Sequence, residues 1–289
     1  MTIDLHIHSK NSDGVLSVKE IMKLAKIKNI FMISITDHDS IFYQKQASIL
    51  AKQSGINYVS GVELNVTFSP SRDLTQKSIF LDFLGYNFNS EDTDLQNKLE
   101  KIAQYRNERA LNILIKLNTE LKKNQIKELD KKDLLRIQNS VDGVFGRPHI
   151  ADYLVKKGIV KNRKEAFNRY LVKCNVPKYP LYLKDAANLI RNAGGKIVLA
   201  HPNDPYGTSL IKLTRSLDEQ TKIIDDSILQ YIDGIECWHS RNDERTTNHY
   251  ISYSKKHNLI MTGGSDCHQK PIIMGTVNVP FYVADQFLL

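Results

Sequence analysis

Six of the nine histidines fall in five short stretches that also carry an acidic residue, an arginine, or a glycine or proline turn: Asp4-Leu5-His6-Ile7-His8, Thr36-Asp37-His38-Asp39, Gly146-Arg147-Pro148-His149, Ala200-His201-Pro202 and Gly264-Ser265-Asp266-Cys267-His268. Imidazole and carboxylate are the side chains that hold divalent metals beside water, so the chain reads first as a metalloenzyme. A lone His-x-His says little, because alternate residues of an extended segment share a face by geometry alone. Asp13-Gly14, Glu63 and the downstream Asp-Cys-His turn it into a constellation. In an extended segment Cys267 points away from Asp266 and His268, which sets it apart from the donors.

These residues are spaced along the chain, so the elements between them must bring them together. The outer thirds alternate short apolar stretches with helical patterns, which favours a parallel α/β architecture. Ser17 and Glu20 form a capping box at a helix start, followed by Ile21, Leu24 and Ala25 at helical spacing. A second helix is expected over 40–54, ended by Gly55. Strands are expected around Ile3 and Leu5 and over 31–35, 57–60, 79–81, 197–199, 234–235 and 259–262, seven in all. His6 and His8, His38, Glu63, Asp82, His201, Glu236, and Asp266 with His268 follow them in turn. In a (β/α) barrel such positions converge on one mouth. The fold class expected is therefore an α/β barrel of seven strands, over 1–86 and 186–289, carrying a helical insertion over 87–185. Within the insertion, helices are expected over 94–119, 131–137, 148–157 and 163–173. Pro148 suits a first helical position and leaves Arg147 and His149 near a helix N-terminus, favourable ground for phosphate.

Size and composition bound the alternatives. At 289 residues, 41% hydrophobic and 25% charged, the chain is an ordinary globular protein able to bury a large core. No apolar run reaches the roughly 18–20 residues that span a bilayer. Three cysteines are too few for a disulfide framework, and the sequence runs from Met1 into Ile3 to Leu5 without a leader pattern, so a cytoplasmic location is expected. The net charge of +8 is concentrated: 87–185 holds 21 Lys and Arg against 13 Asp and Glu, while the remaining residues hold 19 of each. Lys122, Lys123, Lys127, Lys131 and Lys132 read as a solvated face, whereas the basic insertion as a whole would attract a polyanionic substrate.

Taken in order, the motifs resemble those of the polymerase and histidinol phosphatase (PHP) superfamily: Asp4-Leu5-His6-Ile7-His8-Ser9, Thr36-Asp37-His38-Asp39, Gly61-Val62-Glu63, Ala200-His201-Pro202 and Gly264-Ser265-Asp266-Cys267-His268. Gly146-Arg147-Pro148-His149-Ile150-Ala151 and Ala166-Phe167-Asn168-Arg169-Tyr170-Leu171 look like the helical insert of stand-alone PHP phosphoesterases that act on nucleotides. The resemblance covers almost the whole chain. It implies a distorted seven-stranded (β/α) barrel with two or three divalent metals, Mn2+ foremost, with Mg2+, Fe2+ or Zn2+ as alternatives. By the same resemblance, His6, His8, Glu63 and Asp266 would surround one metal and Asp13, His38 and His268 another, with Glu63 bridging to a further metal held partly by His201. Where the family supplies a histidine before a Leu-Gly-Tyr-like turn, this chain has Asp82, which as a ligand would favour hard ions over Zn.

The activity implied is metal-assisted phosphoester hydrolysis. Two metals about 3.5–4 Å apart acidify a water and stabilise the leaving oxygen, so no Ser or Cys nucleophile is required. The resemblance makes the expected substrates nucleoside 3′,5′-bisphosphates or 5′-phosphorylated short single-stranded oligonucleotides, with no membrane and no obligate protein partner. Arg147 and His149 are the candidate phosphate grip and catalytic pair, and His239, beside Ser240 and Arg241, is a candidate substrate contact or a residue of a surface loop. Glu236 is a candidate carboxylate steadying a ligand, while His249 and His257 fall in a helical pattern as structural or surface residues. Three alternatives stand beside this reading: a PHP phosphatase for a small metabolite such as histidinol phosphate, a polymerase-type PHP accessory, and a non-catalytic nucleic-acid-binding protein that uses metal for folding.

Overall fold

The computed structural model describes residues 2–70, 78–138 and 146–288. Its strands form two sheets. The first is parallel, in the order β1 (Thr2–Ile7), β2 (Ile30–Ile35), β3 (Asn57–Tyr58). The second runs β4 (Gly61–Phe68), β5 (Ile79–Tyr86), β6 (Lys196–Leu199), β7 (Gly234–His239), β8 (Ile260–Gly264). Single bridges, Ile7 to Cys267 and His38 to Glu63, link the two sheets.

This corrects the expectation of seven parallel strands closing into a barrel. The described residues hold eight strands, and β4/β5 and β5/β6 are antiparallel, whereas β6/β7 and β7/β8 are parallel. The physical reason lies in the connections. Only residues 69–78 separate β4 from β5, too few for the crossover of a dozen or more residues that a parallel pair needs. Glu63 and Asp82 therefore lie inside β4 and β5, not beyond the ends of the preceding strands.

The helices follow the capping and periodicity signals. α1 (Val18–Ile27) begins with the full capping box, Ser17 N donating to Glu20 at 2.7 Å and Glu20 N to Ser17 Oγ at 3.3 Å. α2 (Gln44–Ser54) starts four residues later than expected, because Ser40 is drawn into a bond from Asn11 Nδ2 at 2.6 Å. It ends at Gly55 in the left-handed conformation, φ 70°. Next come α3 (Thr93–Lys123), α4 (Lys131–Gln138), α5 (Arg147–Lys156) and the short α6 (Arg163–Ala166), which runs into a π-helical turn, Phe167–Leu171. α7 (Leu183–Asn192), α8 (Leu217–Ser227) and α9 (Glu244–Lys256) return the chain to the sheets. No helix among the described residues is long and apolar enough to cross a membrane.

Apolar burial is divided. Leu95, Leu99 and Ile102 of α3 join the main core with Val62, Leu64, Phe83 and Ile190. Further along the same helix, Ala110, Ile113, Leu114, Leu117 and Leu121 join a separate cluster with Ile150, Leu154, Tyr170 and Leu171. One helix thus enters both cores. Lys122, Lys123, Lys127, Lys131 and Lys132 are exposed, as a solvated face requires.

Close backbone approach fixes where β1 meets β8. Asp4, fully buried, accepts from Ser265 N at 2.8 Å and Gly275 N at 2.7 Å. A Cβ on Gly264 would fall 2.4 Å from His6 N and 2.5 Å from His6 Cβ. Gly264→Ala must therefore displace β1. It is expected to destabilise the fold by about 1–3 kcal/mol, the usual cost of overpacking, read as a lowered denaturation midpoint in urea. An unchanged midpoint would show that β1 yields freely there.

Candidate metal centre

The site is assembled where backbone segments are pinned to one another. Asp266 N donates to His6 O at 2.8 Å and His8 N to Cys267 O at 3.1 Å, so β1 and the turn after β8 present their side chains to a common space. Asp39 N donates to Glu63 O at 2.8 Å and Glu63 N to Asp37 O at 3.2 Å, bringing the turn after β2 onto β4. The buried Asp37 carboxylate accepts from Ser9 N at 2.8 Å, Ser9 Oγ at 2.6 Å and Ser12 Oγ at 2.7 Å, shaping the loop that carries Asp13. Asp39, His201 and Asp266 hold positive φ, 50°, 25° and 52°, a conformation uncommon outside glycine and concentrated at functional turns.

Glu63 lies at the centre. Its Oε1 is 3.0 Å from His201 Nε2 and 3.5 Å from His6 Nε2, and its Oε2 is 3.0 Å from His38 Nδ1 and 3.2 Å from His8 Nε2. On one side Asp266 Oδ1 stands 3.4 Å from both His6 Nε2 and His8 Nε2 and 3.2 Å from His268 Nδ1. On another, Asp13 Oδ1 is 3.3 Å from His268 Nε2 and 3.8 Å from His38 Nε2 and His8 Nδ1. Three sets of donors lie within 4.8 Å of one another: His8, Asp13, His38 and His268; His6, His8 and Asp266; and His6, Glu63 and His201.

The electrostatics are those of a cation site. Burial alone would keep the imidazoles neutral, but Glu63 and Asp13 hold His38 up at about 9, Glu63 holds His201 at about 9, and Asp13 with Asp266 holds His268 at about 10. Burial likewise opposes ionisation of Asp13, Glu63 and Asp266, yet the surrounding imidazoles keep all three well below the usual carboxylate range. His6 Nε2 faces His8 Nε2 at 3.2 Å, and Asp13 Oδ1 and Glu63 Oε2 are buried without a hydrogen bond. Nitrogen and oxygen donors with two orphaned carboxylate oxygens and no thiolate fit divalent ions of the hard to borderline kind. Cys267 is buried among Ile7, Val18 and Met274, away from the donors.

Other predicted residues take distinct places. Glu236 is fully buried, accepting from His201 N at 2.8 Å and facing His6 Nδ1 at 2.9 Å, so it orients two donors at once. His239 is buried, not in a surface loop, with Nε2 3.4 Å from Asp266 Oδ2. Asp82 lines the opening, but its oxygens accept from Asn65 Nδ2 at 2.5 Å and from Thr208 Oγ1, and it belongs to none of the three donor sets. His149 accepts from Gly146 N at 3.0 Å through Nδ1 and hydrogen-bonds the Ser12 backbone, beside the Asp13 loop. Arg147 lies half-buried with its guanidinium 5.4 Å from the Phe167 ring centroid. His249 and His257 sit on α9 and just beyond it, outside the centre.

A cavity of about 550 Å3, the size of a small-molecule site, opens over the donors and is rimmed by Arg163 and Arg241. Arg241 is anchored by the buried Asp204 at 2.5 Å and also approaches Asp266 at 3.4 Å. Arg163 pairs with Asp152. Sequence reasoning missed Arg163 and Asp204 because neither occupies a motif. Only the basic excess of the insertion hinted at the former.

The chain was compared with known proteins. The PHP domain family model matches residues 4–238. A 5′-3′ exoribonuclease of Haemophilus influenzae is 32% identical over 213 residues, 69% of this chain and 68% of that protein. A 3′,5′-nucleoside bisphosphate phosphatase of Chromobacterium violaceum is 26% identical over 283 residues, 92% of this chain and 87% of that protein. A solved structure of an amidohydrolase from Chromobacterium violaceum, with bound sulfate and no metal, superposes with a TM-score of 0.77 at 26% identity, covering 98% of this chain and 93% of that one. With its donors assembled at one mixed α/β centre, the chain belongs to the PHP domain family and is a hydrolase of phosphoester bonds.

Proposed function

We propose that the chain removes a terminal phosphate or nucleotide from nucleoside 3′,5′-bisphosphates and 5′-phosphorylated short single-stranded oligonucleotides, with divalent metal, Mn2+ foremost, held by His6, His8, Asp13, His38, Glu63, His201, Asp266 and His268. The observation that carries this reading is the convergence of four imidazoles from three separate segments on the Glu63 carboxylate. When bound, such ions supply an acidified water and charge for the oxygens of the phosphoryl group.

The protein groups do the rest. Glu63, Asp13 and Asp266 stay ionised and offer compensating charge to cations. Glu236 fixes the His6 ring through Nδ1, leaving Nε2 directed inward. Arg163 and Arg241 at the rim receive and orient an anionic substrate, with Arg147 and His149 of the insertion as further candidate contacts, whereas the buried His239 acts through Asp266. The basic insertion gathers it by long-range attraction. The two named relatives, a bisphosphate phosphatase and an exoribonuclease, act on such compounds by their names. The reduced thiols of Cys174, Cys237 and Cys267 suit a cytoplasmic setting. As an added ligand at the rim, Asp82 would exchange its Thr208 or Asn65 bond for a cation.

Metal-reconstituted protein is expected to release phosphate from adenosine 3′,5′-bisphosphate and mononucleotides from 5′-phosphorylated, but not 5′-hydroxyl, oligonucleotides. His8→Ala should lower the rate at least about a hundredfold, the equivalent of roughly 2.7 kcal/mol. Turnover confined to a metabolite such as histidinol phosphate would overturn the substrate assignment. Asp82→Ala is expected to lower both bound metal and turnover, and unchanged metal by elemental analysis would remove Asp82 from the ligand set.

Glu236→Gln should cost about 10–100-fold in metal affinity or activity, read by metal titration, and wild-type affinity would make Glu236 a mere packing residue. In chelator, His38, His201 and His268 carry folded values of about 9 to 10, raised above the ordinary 6.5, so their contribution to stability is complete below about 6.5 and is lost as pH climbs through 9 to 10. Metal affinity should rise over the same window as the imidazoles shed protons. Paired urea and metal titrations at pH 7 and 9 check both trends, and stability that grows with pH in chelator would contradict the first.

A further inference from the structure

Beside the metal centre, but outside it, lies a smaller cavity of about 40 Å3, walled by Asp39 and Asn65 at the sheets, Arg106 and Arg109 of α3, and Lys178. A single water needs about 10–15 Å3 on this scale, so the space takes a few waters or one tetrahedral anion. Three cations face one carboxylate there. Arg106 spends Nη1 on Asp39. Arg109, buried, uses Nε on Val176 O at 2.6 Å and Nη2 on Asn175 Oδ1 at 2.8 Å, and so holds no carboxylate. Lys178 gives one hydrogen to Asn65 Oδ1 at 2.7 Å and stands 4.6 Å from the Phe80 ring centroid, leaving two of its three donors. Burial holds the Lys178 ammonium down at about 8 against the pull of Asp82, and Arg106 and Arg147 press in the same direction as burial.

The cavity is linked to the metal centre by β4. Glu63 and Asn65 lie on the same face of that strand, two residues or about 6.6 Å apart. Asn65 bonds both Lys178 and Asp82, which lines the larger opening. The two spaces are thus one short step apart along the strand.

We propose that this cationic cavity is a second phosphate subsite, taking the phosphate or phosphodiester one nucleotide away from the group being hydrolysed. The inference rests on the nucleotide reading above and deepens it. It explains how the protein would prefer substrates with two phosphates over simple monophosphate esters: Asp39 pairs with Arg106, while Lys178 and Arg109 bond neutral oxygens, and the far phosphate supplies the counter-charge those two lack. Lys178 is the specificity determinant, because its remaining donors are uncommitted, whereas Arg109 also holds the 175–176 backbone.

The test compares kcat/KM on adenosine 3′,5′-bisphosphate with kcat/KM on p-nitrophenyl phosphate, for the wild type, Lys178→Gln and Lys178→Arg. Lys178→Gln is expected to lower the bisphosphate-to-monoester ratio about tenfold or more, mainly through KM, as loss of a charge-assisted hydrogen bond implies. Lys178→Arg should recover most of it. An unchanged ratio in Lys178→Gln overturns the subsite. Should the wild type hydrolyse the monoester but no nucleotide, the nucleotide reading fails by itself. The cavity is then judged with inorganic sulfate in chelator: thermal stabilisation of the wild type but not of Lys178→Gln supports an anion site, and equal shifts in both refute it.

Discussion

A carboxylate removed from water must be met by positive charge or by donors, and the fully buried Glu63 is where this chain meets that demand most fully. Its two oxygens face imidazoles from β1, from the turn after β2 and from the turn after β6. Each of those segments is in turn fixed by backbone hydrogen bonds to a neighbour. Removing Glu63 would leave buried donors facing one another across a gap, with His6 and His8 already 3.2 Å apart. The geometry therefore requires a cluster of opposite charges, and a cation shared among them lowers the cost of keeping it dry.

Around that cluster stands a group of buried carboxylates that act through other residues. Asp4 ties β1 to the segment after β8, Asp37 organises the loop bearing Asp13, Glu236 orients His6 and His201, and Asp204 anchors Arg241. These differ in kind from exposed surface pairs such as Lys45 with Glu91, which water and salt screen. Each inner carboxylate is satisfied by several donors, so altering one displaces a segment and not just one contact.

The clustering of the candidate donors was legible because chemistry restricts them: His and Asp in short turn-forming motifs have few other uses in such numbers. Helix starts were equally legible where a cap is local, as at Ser17 and Glu20. Strand direction was not, since the apolar runs at 79–81 and 197–199 read the same whichever way they pair, and only the short link between β4 and β5 favours reversal. His239 was ambiguous because its burial depends on the segment after β8, distant in sequence. Asp204 and Arg163 were invisible for a related reason: a single charged residue gains its meaning from a partner that only the fold brings near. Asp82 stood out in the sequence as a departure, but its bonds to Asn65 and Thr208 depend on the neighbouring strand and the loop after β6.

The continuity of α3 through two cores has a consequence for the cationic cavity beside the metal centre. A 31-residue helix is a rod of about 46 Å, held by Leu95, Leu99 and Ile102 at one end and by Ile113, Leu117 and Leu121 at the other. Arg106 and Arg109 sit between these anchorages, so their distance from the sheets is set by helix stiffness and not by a hinge. The walls of that cavity are therefore held at a fixed spacing, and any anion that the proposed subsite took would be measured against it. Descendants of this sequence could change what they accept by exchanging one side chain along the rod, while the metal centre remains untouched.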